Sequence, residues 1–336
     1  MPTKEQVEKA LSDVLVPGVG RSLVQLNMIR GVEVTDSMVK VTFASTGLSL
    51  DSQDWVRTRA KAVIDKLPEV NQVEVEFTEI KAVELNQINH IIAVMSGKGG
   101  VGKSLVASLA AIALNRQGNE VGILDADLTG PSIPKMFGIT ARPSGSETGI
   151  LPVISRSGIE LMSINLLLPS EDDAVIWRGP LIANAIKQFW EEVVWGRLDY
   201  LLVDLPPGTA DAPLTVMQTL PLSGVIIVFT PQDLTTMVVR KAVNMVQKFD
   251  KPILGVVENM SYLYVPELDK RIELFGRSKG QEMVQVAKAP LLGQLPIDPE
   301  LAKLCDEGTI ERYSSDVFTT FSQALVQALP QARLGQ

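Results

Sequence analysis

The sequence predicts an α/β protein, a mainly parallel sheet with helices on both faces, preceded by a small α+β domain. Two patterns predict it. From Ile91 onward short apolar runs alternate with helical patterns, which is how βαβ units and a covered parallel sheet read in sequence. Residues from about 4 to 80 follow a different order, helix, two strands, helix, strand.

In that first domain, Val7, Leu11 and Leu15 recur at helical spacing over Lys4 to Leu15, and Pro17-Gly18 breaks the helix. Strands are expected near Val24 to Val32 and Met38 to Ala44, a helix near Ser52 to Leu67 and a strand at Val73 to Phe77. These assign residues 1–82 to the small domain, a polar linker to 83–90 and the larger domain to 91–333. The larger domain's strands are expected at Ile91 to Met95, Val121 to Leu124, Tyr200 to Val203, Val225 to Phe229 and Ile253 to Val257. Ligands of such sheets bind at the carboxyl ends of the strands, and the polar motifs of this chain fall there.

The bulk numbers narrow the function. With 336 residues, 46% hydrophobic, the chain can bury a full core. A formal net charge of −8 argues against duplex nucleic acid as a partner, which calls for a basic face. No apolar run approaches the roughly 18 to 20 residues of a membrane span, and Met1 to Gln6 leads into a charged helical pattern without an apolar signal core. A soluble, cytoplasmic protein with no membrane partner is expected. Cys305 is the one cysteine, so the chain has no internal disulfide and no thiolate metal site of its own.

Gly97-Lys98-Gly99-Gly100-Val101-Gly102-Lys103-Ser104 fits G-x-x-x-x-G-K-[ST], between the strand at Ile91 to Met95 and a helical stretch at Leu105 to Gln117. The motif and its context make the larger domain a P-loop NTPase fold. The glycines let backbone N–H groups converge on phosphate oxygens at the positive end of a helix. Lys103 would reach the β- and γ-phosphates and the Ser104 hydroxyl would ligate Mg²⁺. Lys98 by itself also admits the reading of a solvated loop lysine.

With Lys98 inside the loop, the segment resembles the deviant Walker A group, which includes MinD, ParA, the nitrogenase iron protein and the Mrp/ApbC proteins. The resemblance implies a nucleotide-sandwich homodimer in which Lys98 crosses to the other subunit's nucleotide. It further implies that the pair in Asp125-Ala126-Asp127 serves the first switch, Asp125 toward the metal and Asp127 toward the attacking water. Asp204, ending Tyr200-Leu201-Leu202-Val203, takes the Walker B role toward Mg²⁺, with Pro206 to Thr209 as the second switch. Asn259 in Glu258-Asn259-Met260-Ser261 meets the adenine edge and selects ATP. As residues alone, Asp204 also reads as a helix cap and Asn259 as a turn amide.

The subtype rests on Asp127-Leu128-Thr129-Gly130-Pro131-Ser132-Ile133-Pro134, Trp177-Arg178-Gly179-Pro180, Asp204 to Asp211 and Glu258 to Tyr262. These look like Mrp/ApbC proteins, and Val16-Pro17-Gly18-Val19-Gly20-Arg21-Ser22-Leu23-Val24 is similar to the small domain that some members carry in front. The resemblance implies an iron–sulfur cluster carrier, an ATPase holding a [4Fe–4S] cluster between two subunits and passing it to apoproteins or receiving it from assembly scaffolds. The family's C-x-x-C, however, is occupied here by Val265 and Leu268. A cluster of this kind is held by four thiolates, and a dimer supplies only its two Cys305 residues. Cys305, near a glycine-closed helix end, reads as an inert thiol, and His90 as structural. An ATP-gated interaction switch without a cluster is the alternative reading; DNA partition is disfavoured by the acidic balance.

Overall fold

The computed structural model describes residues 2–127, 130, 132–167, 179–209, 211–232 and 234–331, with the backbone alone at 179–183 and 235. Of the motif residues above, Leu128, Thr129, Pro131, Trp177, Arg178 and Ala210 lie outside the described residues. The chain forms two compact units: Met1–Ile88 with Arg142–Ile154 and Gln188–Leu198, and the remainder.

The first unit opens with helix α1 (Lys4–Leu11). Thr3 and Gln6 cap it reciprocally, satisfying two N-terminal donors that the helix cannot pair itself. It stops before Leu15: the Ser12 hydroxyl donates to the Lys9 carbonyl at 2.6 Å, and Leu15 instead bridges Ser22. Strand β1 (Ile29–Thr35) starts later than Val24. The reason is local, because Ser22 and Gln25 bond each other's backbone N–H and Asn27 turns the chain at a φ of 53°. β1 pairs antiparallel with β2 (Met38–Ala44), and β2 runs parallel to β3 (Gln72–Thr78). Helix α2 (Leu50–Ile64), capped by Ser49, makes the crossover. The core joins Val7, Leu11, Phe43, Val56 and Ile64 with Leu151 and Val194 from the two returning segments.

The stretch 83–90 is not an irregular linker. Ala82–Leu85 is a one-turn helix with Leu85 fully buried. Next to it, the Asn86 amide accepts from the N–H groups of Trp195 and Gly196 and donates to the Val193 carbonyl. A division by contiguous sequence misses these returns because no local pattern marks a segment whose partners lie about a hundred residues away.

The second unit is built on seven strands of an eight-stranded sheet, β4 (Gln87–Ser96), β5 (Val121–Asp125), β6 (Glu160–Ser163), β7 (Arg197–Asp204), β8 (Gly224–Phe229), β9 (Ile253–Glu258) and β10 (Leu291–Gln294). Their order across the sheet is β10-β9-β8-β4-β7-β5-β6. The registered pairs among them are parallel, which keeps every carboxyl end on one edge. Helix α3 (Lys103–Asn115) follows β4, and its Val106, Leu109, Ala110 and Ala113 are buried. The helices α4 (Gly179–Glu192), α5 (Asp211–Thr219), α6 (Thr235–Lys248), α7 (Gly280–Ala287), α8 (Pro299–Asp306) and α9 (Asp316–Ala328) alternate with the later strands or follow them. Among the described residues, no helix is long and apolar enough to cross a membrane.

Register turns this topology into a site. Asp125 is level with Asp204 and with Ser163, Ser96 with Val228, and Glu258 with both Phe229 and Gln294. Apolar strand interiors thus end together in a row of buried polar groups.

Candidate functional site

The P-loop leaves β4 at Ser96 and enters α3 at Lys103. Two glycines in it have no substitute. Gly102 caps α3 with a φ of 77°, and a Cβ there would lie 2.1 Å from the Asn259 amide nitrogen. Gly97 packs so closely on α6 that a Cβ would meet Val238 Cγ1 at 2.2 Å. The curled loop opens on a cavity of about 290 Å³, walled by Gly99 to Ser104 with Asp127, Ser132, Met136 and Pro207. Backbone N–H groups at the start of a buried helix make this a cradle for phosphate oxygens.

At its floor lies one cation among carboxylates. The Lys103 ammonium, 5% exposed, is 2.5 Å from Asp204 Oδ1 and 3.8 Å from Asp127 Oδ2. The Ser104 hydroxyl donates to Asp204 Oδ2 at 2.5 Å. Asp125 accepts from Ser163 at 3.2 Å and from the Asp127 N–H at 3.3 Å. Both Asp125 and Asp204 are fully buried. Desolvation foremost, then the negative charge of Asp204, pushes Asp125 up to about 8. Burial raises Asp204 too, against the pull of Lys103.

This donor set suits a hard divalent cation brought in with a phosphate. It holds more negative than positive charge, and its oxygens are of the kind Mg²⁺ selects. It is not a ready-made cage: among the described residues no three His, Cys, Asp or Glu side chains are grouped to hold a metal. Nucleotide oxygens would have to complete the coordination, as is usual for Mg²⁺.

The remaining candidates are distributed around the loop. Asn259 is 2% exposed and donates its amide to the Val101 carbonyl at 2.9 Å, so it braces the P-loop. Lys98 hydrogen-bonds Gln232, in the turn after β8. Cys305 in α8 is half-buried, and burial followed by Asp306 raises its thiol to about 11, which keeps it protonated and unreactive. His90 stacks 5.5 Å from the Tyr200 ring and contacts the Gln331 carbonyl at 2.9 Å, a structural setting. Leu268 is 67% exposed.

Three contributors were not anticipated from sequence: Ser163, Gln232 and Glu258. Each ends or follows a parallel strand, so the rule that polar residues at carboxyl strand ends form the site would have found them. Glu258 is fully buried and accepts from Ser261, Ser278, the Lys279 N–H and Gln294 at 2.6–2.9 Å.

The Asp125 environment has a measurable sign. Between the unfolded value of about 4 and the folded value of about 8, the native state keeps a proton that the unfolded chain releases. Stability of the nucleotide-free protein should therefore fall as pH rises through that window. Urea titrations across pH should show the slope in wild type and a shallower one in Asp125→Asn, where only Asp204 remains raised; an unchanged slope in the variant would assign it elsewhere.

Comparison with known proteins agrees with this geometry. Residues 87–329 match the family described as NUBPL iron-transfer P-loop NTPase, and residues 4–77 match that of iron-sulfur cluster assembly protein. The iron-sulfur cluster carrier protein of Synechocystis is 39% identical over 92% of this chain and 91% of its own. A nucleotide-binding protein from Archaeoglobus fulgidus, solved in complex with ADP, is 46% identical with a TM-score of 0.64, covering 71% of this chain and 96% of that one. MinD from Pyrococcus furiosus, at 22% identity and a TM-score of 0.52, covers 72% of this chain and all of its own, and shares the fold. With a match across most of its length and a P-loop whose lysine and serine meet a buried strand-end aspartate, the chain belongs to the NUBPL iron-transfer P-loop NTPase family.

Proposed function

We propose that this protein is a Mg²⁺-dependent, slow ATPase that works as a cytoplasmic homodimer and carries iron–sulfur clusters, its cargo, to apoproteins. The observation that carries the reading is the Lys103–Asp204–Ser104 contact at the carboxyl ends of β4 and β7, in a chain whose full-length relatives are named iron-sulfur cluster carriers. In the nucleotide-free state Lys103 neutralises Asp204. With a nucleotide in the cavity, the Lys103 ammonium would turn to its β- and γ-oxygens, and Ser104 and Asp204, with Asp125 behind them, would hold Mg²⁺. Mg²⁺ held there would supply charge neutralisation for the transferred phosphoryl group. Asp127, at the cavity wall, orients the attacking water. Asn259 reads the adenine edge from its place behind Val101, and Lys98 leaves Gln232 to reach the partner subunit's nucleotide. Residues 1–82 act as the assembly module and 91–333 as the ATPase.

The chain's own residues do not fit a resident cluster. Val265 and Leu268 offer no donor atoms, and the Cys305 thiol lies in α8 with its proton held. Cargo would need ligands from a donor scaffold or a client. The same observation favours a second reading, an ATP-gated interaction switch that holds no cluster.

Three outcomes are expected. Lys103→Ala should lower ATP turnover by at least about 100-fold, since P-loop catalysis is mostly charge stabilisation and positioning; near-normal turnover would refute the assignment. Lys98→Ala should bind nucleotide almost as wild type yet dimerise poorly with a non-hydrolysable ATP analogue, read by sedimentation. After anaerobic reconstitution, the isolated wild type should retain no four-iron cluster through gel filtration, whereas Val265→Cys with Leu268→Cys should retain about four irons and four sulfides per dimer. Stable four-iron uptake by the wild type would remove the second reading and require ligands other than those named here.

A further inference from the structure

One peptide of the P-loop has no orientation of its own. Gly100 and Gly102 both lie at positive φ, 74° and 77°, and glycine populates either sign of φ with little preference. The torsions beside the Val101–Gly102 peptide therefore do not decide which way it faces. Its direction matters because a trans peptide is planar and holds its C=O and N–H on opposite sides. With the Val101 carbonyl bonded to the Asn259 amide at 2.9 Å, the Gly102 N–H faces away from Asn259, on a loop that walls the cavity.

The clamp must itself be held. Asn259 is followed by Met260 at a φ of 55°, a left-handed turn that a side chain enters only against a steric cost. Glu258 closes that turn, since its Oε2 accepts from the Ser261 hydroxyl at 2.7 Å and so spans Asn259 and Met260. The backbone is tied on both sides as well. The Leu295 N–H donates to the Glu258 carbonyl at 2.8 Å, and the Ser261 N–H to the Leu295 carbonyl at 2.9 Å.

Beyond Ser261 the chain leaves the sheet as an antiparallel hairpin, Leu263–Val265 paired with Lys270–Ile272, with Leu268, Leu274 and Phe275 exposed on it. It returns at Ser278, where the same carboxylate meets it. Glu258 accepts there from the Ser278 hydroxyl at 2.7 Å and from the Lys279 N–H at 2.6 Å, at the start of α7. Gln294, ending β10, gives the fourth bond at 2.9 Å. The positive end of α7 favours the anion. A buried acceptor-only group that meets donors from three separate segments is fixed in one position.

We propose that Glu258 is a positioning residue for nucleotide binding: by fixing the turn that carries Asn259, it holds the Val101–Gly102 peptide in the orientation that presents the Gly102 N–H to phosphate. This deepens the nucleotide site proposed above and rests on it. Glu258 makes no contact with nucleotide in this role, so its effect falls on affinity rather than on phosphoryl transfer.

Steady-state ATP turnover by the full chain tests the role, because KM follows nucleotide affinity when chemistry is slow. Glu258→Gln keeps the shape of the side chain and turns one acceptor into a donor. Its KM for ATP should rise about tenfold, the scale of one hydrogen bond to a charged group, while kcat changes by less than about twofold. A purely structural loss would lower the melting temperature and leave KM unmoved at a temperature where the variant is folded. Asn259→Ala should raise KM by itself, and Glu258→Gln in that background should add nothing further to KM while still lowering the melting temperature. Ser278→Ala, which removes one donor, should raise KM by a smaller factor and serves where Glu258→Gln does not fold. An unchanged KM in both single variants, or effects that multiply with that of Asn259→Ala, would overturn the inference. A wild type that neither binds nor turns over ATP would instead refute the proposed function.

Discussion

The site depends on a buried imbalance of charge. Asp125 and Asp204 end adjacent strands in register with no solvent exposure, and Lys103 is the ammonium beside them. A buried carboxylate without a partner is disfavoured by several kcal/mol, so it acquires a proton, a cation or a hydrogen-bonding shell. Each of these answers is present: Lys103 and Ser104 on Asp204, Ser163 on Asp125, and an Asp125 carboxyl raised far enough to keep its proton near neutral pH. The parallel sheet makes this arrangement unavoidable, because it brings every carboxyl strand end to one edge.

That stored charge links folding to nucleotide chemistry. On the proposed function Lys103 cannot serve Asp204 and a phosphate fully at once, so nucleotide binding and relaxation of the carboxylate pair would be one exchange. The backbone around it is stiff. Gly97 lies against Val238, and Gly102 leaves no room for a side chain beside Asn259.

The buried carboxylate of Glu258 works differently. Glu258 has four donors and needs no cation. It spends that bonding capacity on geometry, drawing Ser261 and Ser278 together beneath a hairpin whose far surface is apolar. Val265 and Leu268 in this segment carry no side-chain donor atoms for a metal. A single residue run, Glu258-Asn259, thus holds the P-loop on one side and the hairpin on the other.

Local patterns were sufficient for much of this. The P-loop spacing, the apolar strands ending in Asp125 and Asp204, and the helix–strand order of the first unit follow from periodicity and motif chemistry, which act over a few residues. Tertiary structure decided the rest. The return of 142–154 and 188–198 to the first unit, the ordering of 83–90 against Trp195 and Gly196, and the late start of β1 behind the Asn27 turn are invisible to any short window. So are the partners of Lys98 and Glu258, since Gln232 lies 134 residues from one and Gln294 lies 36 from the other. The sequence alone determined which residues could do phosphate chemistry, because donor type and spacing are local properties. Which of them share one buried volume, and with what protonation, was decided by the register of the sheet, because burial and electrostatics depend on distance in space rather than along the chain.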